Sequence, residues 1–278
     1  MVENGVDDDG AGERDGSGDR YGTDDDEIEL ERVRLDMLAA ARDPKTFAVL
    51  SRVGIAEGMH VLELGAGSGS VSAWMAEQVG PEGRVMSTDI DLRFHAEMPA
   101  NVIVRQHDIE QDRLPAAHFD IVHARAVLQH LPSRVEVVEM LLGALKPGGW
   151  LVIEDGEMLG FAEQTLPEPY AGLHRIIAGA VHDEWRDPHF GLRALDLMRG
   201  HGLEDLDVVG DVWPMRPGEP GGEWWFLALE RALPRLVEVG VASPADADAA
   251  LAQVRAPGFV MLSPCSIATM GRLRPAGS

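Results

Sequence analysis

The segment with the clearest chemical potential runs from residue 61 to residue 69, with the sequence VLELGAGSG. It contains Gly65, Gly67 and Gly69, directly after an apolar run that is typical of a buried strand. Glycine lets the backbone turn tightly and approach a ligand without a Cβ in the way. An amphipathic helix is predicted to follow, and a helix N-terminus offers unpaired N–H groups to a polar ligand. The pattern predicts a small-molecule binding site, although a purely structural turn would show the same glycines.

Two acidic residues narrow the ligand of this turn. Glu63 lies two residues before Gly65, where its charge would repel the pyrophosphate of a dinucleotide, and Ser70 stands where the third dinucleotide glycine belongs. A carboxylate at position 63 instead suits a cationic group, such as an amino acid ammonium or a sulfonium. Asp89 ends the next predicted strand, where an acid can bind the hydroxyls of a ribose. These residues favour a ligand with a cationic group and a ribose over a dinucleotide. An NAD-binding oxidoreductase is therefore the less favoured interpretation.

This combination resembles the class I S-adenosylmethionine-dependent methyltransferases. Residues 61–69 are similar to the first motif of that family, and Asp89 is similar to the acid that binds the cofactor ribose. Residues 145–155, LKPGGWLVIED, resemble the turn and strand that close the parallel part of the family's sheet. The similarity covers about residues 59 to 155 and implies S-adenosyl-L-methionine as the cofactor.

The resemblance also implies which residues bind the cofactor. An acid after the third strand accepts from the adenine amino group in this family, and Asp108 fits that position, with Ile109 beside the ring. Arg125 would pair with the cofactor carboxylate. The alternatives are that Asp108 only caps a turn and that Arg125 is a surface cation. The complete predicted set is Glu63, Gly65, Gly67, Gly69, Asp89, Ile90, Asp108, Ile109, Ala124 and Arg125.

A catalytic base is sought among the histidines, because histidine titrates near neutral pH. His130, after the fourth strand, is the first candidate, and His174 on a predicted lid helix is the second. His182, Trp185 and Trp225 are predicted to contact the substrate. Each of these residues has a structural alternative, namely a side chain that only fills the core. No metal is expected, because the histidines and acids lack the close spacing of metal ligands.

The net charge of −23 over 278 residues limits the partners of this chain. Nucleic acids and anionic membranes both require a basic surface. The single cysteine excludes an internal disulfide, and the sequence shows neither a signal peptide nor a membrane span. We therefore predict a cytoplasmic protein that binds a small-molecule substrate and no nucleic acid or membrane, with a homodimer left open.

Strand and helix patterns alternate from residue 59 onward, which predicts a parallel sheet with helices on both faces. The predicted fold class is α/β, with a Rossmann-like, seven-stranded, mostly parallel sheet and a helical cap. Strand patterns occur at 61–64, 84–88, 102–104, 119–122, 150–153, 206–213 and 258–270.

The N-terminal part is predicted to lie outside this sheet. Residues 1–26 are rich in Gly, Asp and Ser and are predicted to form a disordered acidic tail, in which Tyr21 either faces solvent or folds over the cofactor. Residues 27–58 are predicted to form an N-terminal cap of two helices, the second of which begins near Pro44.

The remaining chain is divided between the core and a second part of the cap. Residues 59–155 are predicted to form the cofactor-binding core. Residues 156–278 are predicted to complete the sheet and to insert helices at 223–239 and 244–254 between its last two strands. This insertion would form an apolar substrate pocket as part of the cap.

The residues after the fourth strand bear on the acceptor. Nucleic-acid and many protein N-methyltransferases carry an Asn/Asp-Pro-Pro-aromatic run at this place, whereas this chain has HARA at residues 123–126. We therefore predict methyl transfer from S-adenosylmethionine to a small molecule, as O- or N-methylation in secondary metabolism. The alternative is a protein of the same fold that catalyses a non-methylating reaction, such as a cyclisation, or that only binds the cofactor.

Overall fold

The main strands form one sheet in a computed structural model, which describes residues 25–158, 160–161, 163–180 and 187–275. Five parallel strands are β1 (His60–Leu64), β2 (Arg84–Asp89), β3 (Val102–Gln106), β4 (Phe119–Arg125) and β5 (Leu145–Glu157). They lie in the order β3-β2-β1-β4-β5, so the strand order reverses between β1 and β4. Ligands of such sheets bind at the carboxyl ends of the strands beside this switch point.

Four further strands follow in the chain. They are β6 (Glu204–Asp211), β7 (Pro214–Met215), β8 (Met261–Leu262) and β9 (Cys265–Arg272). Strand β9 lies between β5 and β6 and is antiparallel to both, which completes a seven-stranded sheet. Strands β7 and β8 form a separate two-stranded sheet. The predicted α/β fold with a seven-stranded, mostly parallel sheet is confirmed.

Helices cover both faces of the sheet. They are α1 (Asp25–Arg52), α2 (Ser70–Val79), α3 (Arg134–Ala144), α4 (Tyr170–Ala180), α5 (Phe190–Gly200), α6 (Pro220–Glu238) and α7 (Pro244–Val254). Strand side chains alternate between the two faces. Val61 packs with α1 and α2, whereas Leu62 packs with α3 and α5. None of the helices in the described part of the chain is long and apolar enough to span a membrane.

Helix α1 differs from the prediction of two N-terminal helices. It continues through Pro44 to Arg52, although an interior proline costs a helix about 3 kcal/mol. Packing offsets this cost, since Val49 and Leu50 are buried against the sheet and each stabilises the fold by about 1.5–3 kcal/mol. The break predicted near Pro44 was therefore wrong, because local propensity was weighed without the tertiary contacts of the following turn.

A third hydrophobic core lies outside the sheet, and we call it the cap core. It contains Phe161, Tyr170, Leu173, Met215, Phe226, Leu229, Leu233, Ala247, Ala250, Val254 and Met261. Phe161 lies in the segment before α4, and the other residues come from α4, α6, α7 and the β7–β8 sheet. Helix α6 also packs along α1. Helices α6 and α7 are inserted between β6 and β9, as the sequence predicted.

The last strand of the main sheet, β9, begins later than predicted. The sequence predicted one strand over residues 258–270, but β8 and β9 are separate, and Pro264 lies between them. Proline has no N–H for a ladder and favours such an interruption. The N–H of Ser263 instead donates to the carbonyl of Trp213 at 2.9 Å, which places this part of the chain with the cap.

Candidate functional site

The glycine turn forms an open cradle at the carboxyl end of β1. Gly65, Gly67 and Gly69 have φ angles of 68°, 56° and 81°, in the left-handed region that favours glycine. A Cβ at Gly65 would collide with Val127, so the turn lies directly against the loop after β4. A Cβ at Gly67 would meet only Leu35 of α1, at 4.0 Å. Space beside Gly67 is therefore available to a ligand, with α1 above it.

Asp89 lies against this cradle at the end of β2. Its Oδ2 accepts the N–H of Gly67 at 2.8 Å, and its Oδ1 accepts the N–H of Asp91 at 3.0 Å. Burial raises the pKa of Asp89, while these backbone bonds act in the opposite direction. Ile90 follows, and its carbonyl accepts from the Gln106 side chain at 3.0 Å. The structure thus places Asp89 at the glycine turn and Ile90 directly after it, and their contacts with the cofactor stay predictions.

Asp108 lies one strand further along the same edge, but its carboxylate bonds within its own turn. Its Oδ1 accepts the N–H of Glu110 at 3.0 Å, and its Oδ2 accepts the side chain of Gln111 at 2.5 Å. Ile109 is buried in the core between the sheet and α3. The geometry thus favours the turn-capping alternative for Asp108, and its adenine role stays a prediction.

His107 is a residue of this edge that sequence reasoning missed. The backbone N–H of His107 donates to the carbonyl of Asp89 at 2.8 Å, so His107 adjoins the proposed ribose site. The ring is buried, and neither ring nitrogen has a hydrogen-bond partner among the described residues. Burial lowers the pKa of His107, which favours the neutral ring. Only its position directly before Asp108 could have drawn attention to it.

Glu63 does not face the open cradle. Its carboxylate is buried on the α1–α2 side of the sheet, where Oε2 accepts the hydroxyl of Ser72 at 2.9 Å. Its Oε1 lies 3.7 Å from Nδ1 of His123. The cation beside Glu63 is therefore a side chain of this protein, and the geometry does not favour the predicted contact with a cationic ligand.

His123 links two buried carboxylates. Its Nε2 lies 3.0 Å from Oε1 of Glu154, and its ring is inaccessible to solvent. Burial alone would lower the pKa of His123, but the hydrogen bonds and charges of Glu154 and Glu63 raise it to about 9. Burial would likewise raise the pKa of Glu154, but His123 and then Arg42 and Arg125 lower it to about 2. We call Glu63, His123, Glu154 and Arg42 the buried charge cluster.

Arg125 and Ala124 are held away from the cradle. Arg125 is 13% exposed and pairs with Asp43 of α1 at 2.9 Å, while it also donates to Thr46 at 2.9 Å. It is therefore neither a surface cation nor directed at a ligand in this structure. The side chain of Ala124 is buried in the core on the opposite face. Their predicted contacts with the cofactor stay predictions, and for Ala124 only the backbone can make one.

The loop after β4 connects the glycine turn to the end of β5. Gln129 in this loop accepts the N–H of Gly156 through Oε1 at 2.7 Å. Its carbonyl accepts the N–H of Asp187 at 2.7 Å, and its side chain donates to Nε2 of His130 at 3.0 Å. The predicted base His130 therefore lies at the expected edge of the sheet, but this ring nitrogen already accepts a hydrogen bond.

Two polar residues of β5 at this edge were also missed. Asp155 is fully buried, and neither of its oxygens makes a hydrogen bond within the described residues. Burial raises the pKa of Asp155 to about 8, against the opposing effect of the Arg42 charge. Glu157, two residues on, is buried as well, and its Oε1 lies 2.5 Å from Nδ1 of His189. The motif at residues 145–155 ends at Asp155 but assigns it no role, and Glu157 lies beyond that motif.

The remaining predicted residues belong to the cap. His174 is 1% exposed, and its Nε2 donates to the carbonyl of Phe161 at 2.8 Å. Burial lowers the pKa of His174. Trp225 donates to the hydroxyl of Tyr170 at 3.0 Å and packs edge-on against Phe161. Both side chains contribute to the cap core, which favours their structural alternatives. His182 and Trp185 lie outside the described residues, as does Tyr21.

The residues present fit the ribose and the heterocycle of S-adenosylmethionine. The cradle beside Gly67 is a space that a Cβ would enter, and Asp89 supplies a carboxylate next to it. The buried ring of His107 adds unpaired polar atoms on the same side. This set matches a ligand with a hydroxylated ribose and a heterocycle.

Comparison with known proteins supports this assignment. The methyltransferase domain family matches residues 37–206, more than half of the chain. A methyltransferase of Strobilurus tenacellus, str3, is 31% identical over 173 residues, which cover 60% of this chain and 61% of that protein. The ubiquinone/menaquinone biosynthesis C-methyltransferase UbiE of Pseudomonas putida (strain GB-1) is 31% identical over 109 residues, which cover 36% of this chain and 43% of that protein. The chain thus covers less than two thirds of the length of these relatives.

Solved structures share the fold. A SAM-dependent methyltransferase from Aquifex aeolicus superposes with a TM-score of 0.50 at 16% identity, over 88% of this chain and 97% of that one. The Haemonchus contortus phosphoethanolamine N-methyltransferase 2, in complex with phosphomonomethylethanolamine and S-adenosylhomocysteine, gives 0.51 at 18% identity, over 84% of this chain and 52% of that one. At such low identity these structures bear on the fold alone. With the family match and the glycine cradle, the chain belongs to the class I S-adenosylmethionine-dependent methyltransferases.

Proposed function

We propose that this protein transfers the methyl group of S-adenosylmethionine to an oxygen or nitrogen of a small molecule in secondary metabolism. The observation that carries the proposal is the open cradle at Gly67 with Asp89 beside it. The names of the relatives agree with a small acceptor, since UbiE acts in quinone biosynthesis. The charge of −23 disfavours a nucleic-acid acceptor.

The residues of this chain would bind the cofactor and exclude water from it. The bound cofactor supplies an activated methyl group on a sulfonium, so the protein needs mainly to align the acceptor with it. The backbone at Gly65 and Gly67 permits close approach, and Asp89 can accept from the ribose hydroxyls. Leu35 of α1 lies over the turn and can shield it from solvent.

The proposed division of the chain follows from this arrangement. Residues 59–155 would hold the cofactor, whereas α1 and the insertion in residues 156–278 would cover the acceptor. The packing of α6 along α1 supports a continuous cap, because it joins the N-terminal helix to the cap core. A cytoplasmic location and a role for the acidic tail are expectations from composition alone.

Calorimetry with S-adenosylhomocysteine tests the binding half of the proposal. Gly67→Ala should weaken binding at least about tenfold, or 1.4 kcal/mol, because its Cβ enters the cradle and its φ of 56° is strained for alanine. Gly54→Ala is the matched control, since Gly54 has a φ of 84° and open space around it, away from the site. The control should lose a similar amount of stability and keep its affinity.

Binding and turnover assays of the wild-type protein test the proposed function directly. Binding of S-adenosylmethionine only above millimolar concentration would refute it. Formation of S-adenosylhomocysteine with phenols, alcohols or amines would support methyl transfer. Tight binding without any such turnover would instead favour a non-methylating reaction or a binding module.

A further inference from the structure

Asp155 is a buried carboxyl group at the ligand edge of the sheet. Its side chain is inaccessible to solvent, and neither oxygen has a hydrogen-bond partner among the described residues. A buried polar group without a partner is costly, so native proteins contain few of them. We infer that Asp155 distinguishes S-adenosylmethionine from S-adenosylhomocysteine by responding to the positive charge of the sulfonium. This inference rests on the proposed function, because it concerns the cofactor of that reaction and the product formed from it.

The backbone on both sides of Asp155 is bonded to the loop after β4. The carbonyl of Glu154 accepts the N–H of Ala126 at 2.8 Å. The N–H of Gly156 donates to Oε1 of Gln129 at 2.7 Å. Asp155 is therefore held directly beside this loop by the residues before and after it.

The same loop extends the connection to the glycine turn. The side chain of Val127 occupies the space that a Cβ on Gly65 would need. Ala126 has a φ of 55°, in the left-handed region that alanine rarely adopts, so the loop keeps an unusual backbone path between the turn and β5. A charge bound beside the turn and the ionisation of Asp155 can therefore influence each other across one loop.

The order of the strands indicates which part of the cofactor is directed toward Asp155. Asp89 at the end of β2 is proposed to bind the ribose, and the adenine is predicted beyond it, beside β3. The arm that carries the sulfonium is then directed the other way along the edge, toward β4 and β5. Since adjacent strands are about 4.8 Å apart, the end of β5 lies roughly 10 Å from that of β1. A positive charge within such a distance of a buried carboxyl group favours its ionised form.

The proton on Asp155 is the group that responds to the charge. Burial raises the pKa of Asp155 to about 8, so the cofactor-free protein holds the neutral acid at pH 7. The sulfonium of S-adenosylmethionine is a fixed positive charge, whereas the thioether of S-adenosylhomocysteine is neutral. Binding of S-adenosylmethionine should therefore release the proton of Asp155, and binding of S-adenosylhomocysteine should not. By reciprocity, the ionised carboxylate strengthens binding of the cofactor but not of the product.

Other charged and titratable groups around Asp155 are common to both complexes. The charge of Arg42 from α1 opposes the effect of burial on Asp155, and that of the neighbouring Glu154 adds to it. Further such groups come to this end of the sheet from the loop after β4, from the start of α5 and from the ends of β5 and β9, namely His130, Asp187, His189, Arg193, Glu157 and Cys265. A comparison of Asp155 with an isosteric asparagine, made for each ligand, separates its proton from theirs.

Calorimetry in buffers of different ionisation enthalpy counts the protons released on binding. At pH 7, in phosphate and in Tris, the wild type should release about half a proton more than Asp155→Asn on binding S-adenosylmethionine. The two proteins should release equal numbers on binding S-adenosylhomocysteine. The ammonium group of each ligand contributes alike to both proteins, so the difference belongs to Asp155. Asp196→Asn removes an exposed acid on α5 and should behave as wild type with both ligands.

The affinities should change with pH in the corresponding direction. Because a proton is released, S-adenosylmethionine should bind the wild type more tightly, relative to Asp155→Asn, as the pH rises from 6 to 8. A release of half a proton corresponds to about a tenfold change over these two pH units. The affinity for S-adenosylhomocysteine should show no such difference between the two proteins.

Infrared difference spectroscopy of the wild type gives a readout that needs no variant. The carbonyl stretch of a protonated carboxyl group should disappear on addition of S-adenosylmethionine and should remain on addition of S-adenosylhomocysteine. This measurement also covers the case in which Asp155→Asn does not fold. A protonated band that persists with both ligands would contradict the inference.

The outcomes separate this inference from the proposed function. A wild-type protein that binds neither ligand would refute the proposed function. A protein that binds both ligands and forms S-adenosylhomocysteine, but releases as many protons as Asp155→Asn with S-adenosylmethionine, would overturn the role of Asp155 and leave methyl transfer in place.

Discussion

Two adjacent residues of β5, Glu154 and Asp155, show opposite behaviour on the two faces of the same sheet. Glu154 lies on the α1–α2 face with His123, Thr46 and Arg42 around it, and its pKa is lowered to about 2. Asp155 lies on the α3–α5 face without a hydrogen-bond partner among the described residues, and burial raises its pKa to about 8. Both side chains are almost inaccessible to solvent. The partner, and not the depth of burial, thus decides which form a buried carboxyl takes.

The two faces of the sheet therefore differ in how their buried polar groups are held. On the α1–α2 face the buried charge cluster fixes α1, β1, β4 and β5 to one another behind the glycine turn. On the α3–α5 face a protonated Asp155 adds no charge near the loop after β4. The nearby Glu157 forms a hydrogen bond with Nδ1 of His189. The first face thus holds its charges in buried ion pairs, whereas the second buries a carboxyl group without such a pair.

Removal of the cation from the buried charge cluster should have the largest effect on stability. His123→Leu keeps the volume but leaves Glu63 and Glu154 without their shared partner, and such a loss costs about 3–5 kcal/mol. The free energy of unfolding is measured by urea denaturation at pH 6. The double variant His123→Leu/Glu154→Gln should recover part of the loss, because one buried charge is removed. A single variant as stable as wild type would contradict the cluster.

The stabilisation that His123 contributes through Glu63 and Glu154 has a defined pH dependence. The folded-state pKa of His123 lies above the ordinary value of 6.5, so its stabilisation is complete below pH 6.5 and is lost as the pH rises through about 9. The gap in stability between the wild type and His123→Leu should accordingly narrow between these two values.

The effect of Asp155 on stability should change with pH in the direction opposite to that of a paired carboxylate. Its pKa rises from 3.8 to about 8 on folding, so the folded state holds an additional proton between these values. Stability therefore falls as the pH rises through this interval, by about 1.4 kcal/mol per pH unit. Asp155→Asn cannot titrate, and from pH 5 to pH 7 it should gain about 3 kcal/mol relative to wild type. Urea denaturation at both pH values measures this difference.

An exposed acid provides the control for that experiment. Asp196 on α5 is 79% exposed and pairs with Arg199 three residues away. Asp196→Asn should follow the pH dependence of the wild type. If Asp155→Asn also follows it, Asp155 is ionised in the folded protein and the contrast with Glu154 fails.

The sequence was sufficient to predict the parts that depend on local chemistry. The glycines at 65, 67 and 69 need left-handed backbone angles, and the structure has them. The alternation of strands and helices predicted the sheet, and the cap insertion followed from helical patterns at 223–239 and 244–254. Such features are encoded within one turn or one strand, so periodicity and residue type are enough.

Features that depend on register between strands were not accessible. Glu63 pairs in register with His123, and Arg125 with Glu154, only because β1, β4 and β5 align in this way. The sequence therefore led to the prediction that Glu63 and Arg125 bind the cofactor. Their partners within the chain were not predicted. The hydrogen bond between Glu157 and His189 joins residues separated by 32 positions in sequence, and no local motif marks such a contact.

The smallest of the expected effects tests how Glu63 is held on the α1–α2 face. Ser72 of α2 donates its single hydroxyl proton to Glu63 at 2.9 Å, and it shares a further hydrogen bond with Ser87 at 2.7 Å. Loss of a buried hydrogen bond to a charged group costs about 1.5–3 kcal/mol. Alanine is a better helix former than serine, and this gain offsets about 0.5 kcal/mol of the loss. Ser72→Ala should therefore lower the free energy of unfolding by about 1–2 kcal/mol.

The exposed Ser51 of α1 isolates the helix-propensity part of that change. Ser51→Ala should be neutral or slightly stabilising, because Ser51 faces solvent near the end of the helix. Urea denaturation of both variants at pH 7 measures the difference. If Ser72→Ala matched Ser51→Ala, the hydroxyl would contribute nothing to Glu63, and His123 alone would have to hold that carboxylate in place. Combining Ser72→Ala with His123→Leu then measures the coupling, which should be well above zero because both residues act on the same carboxylate.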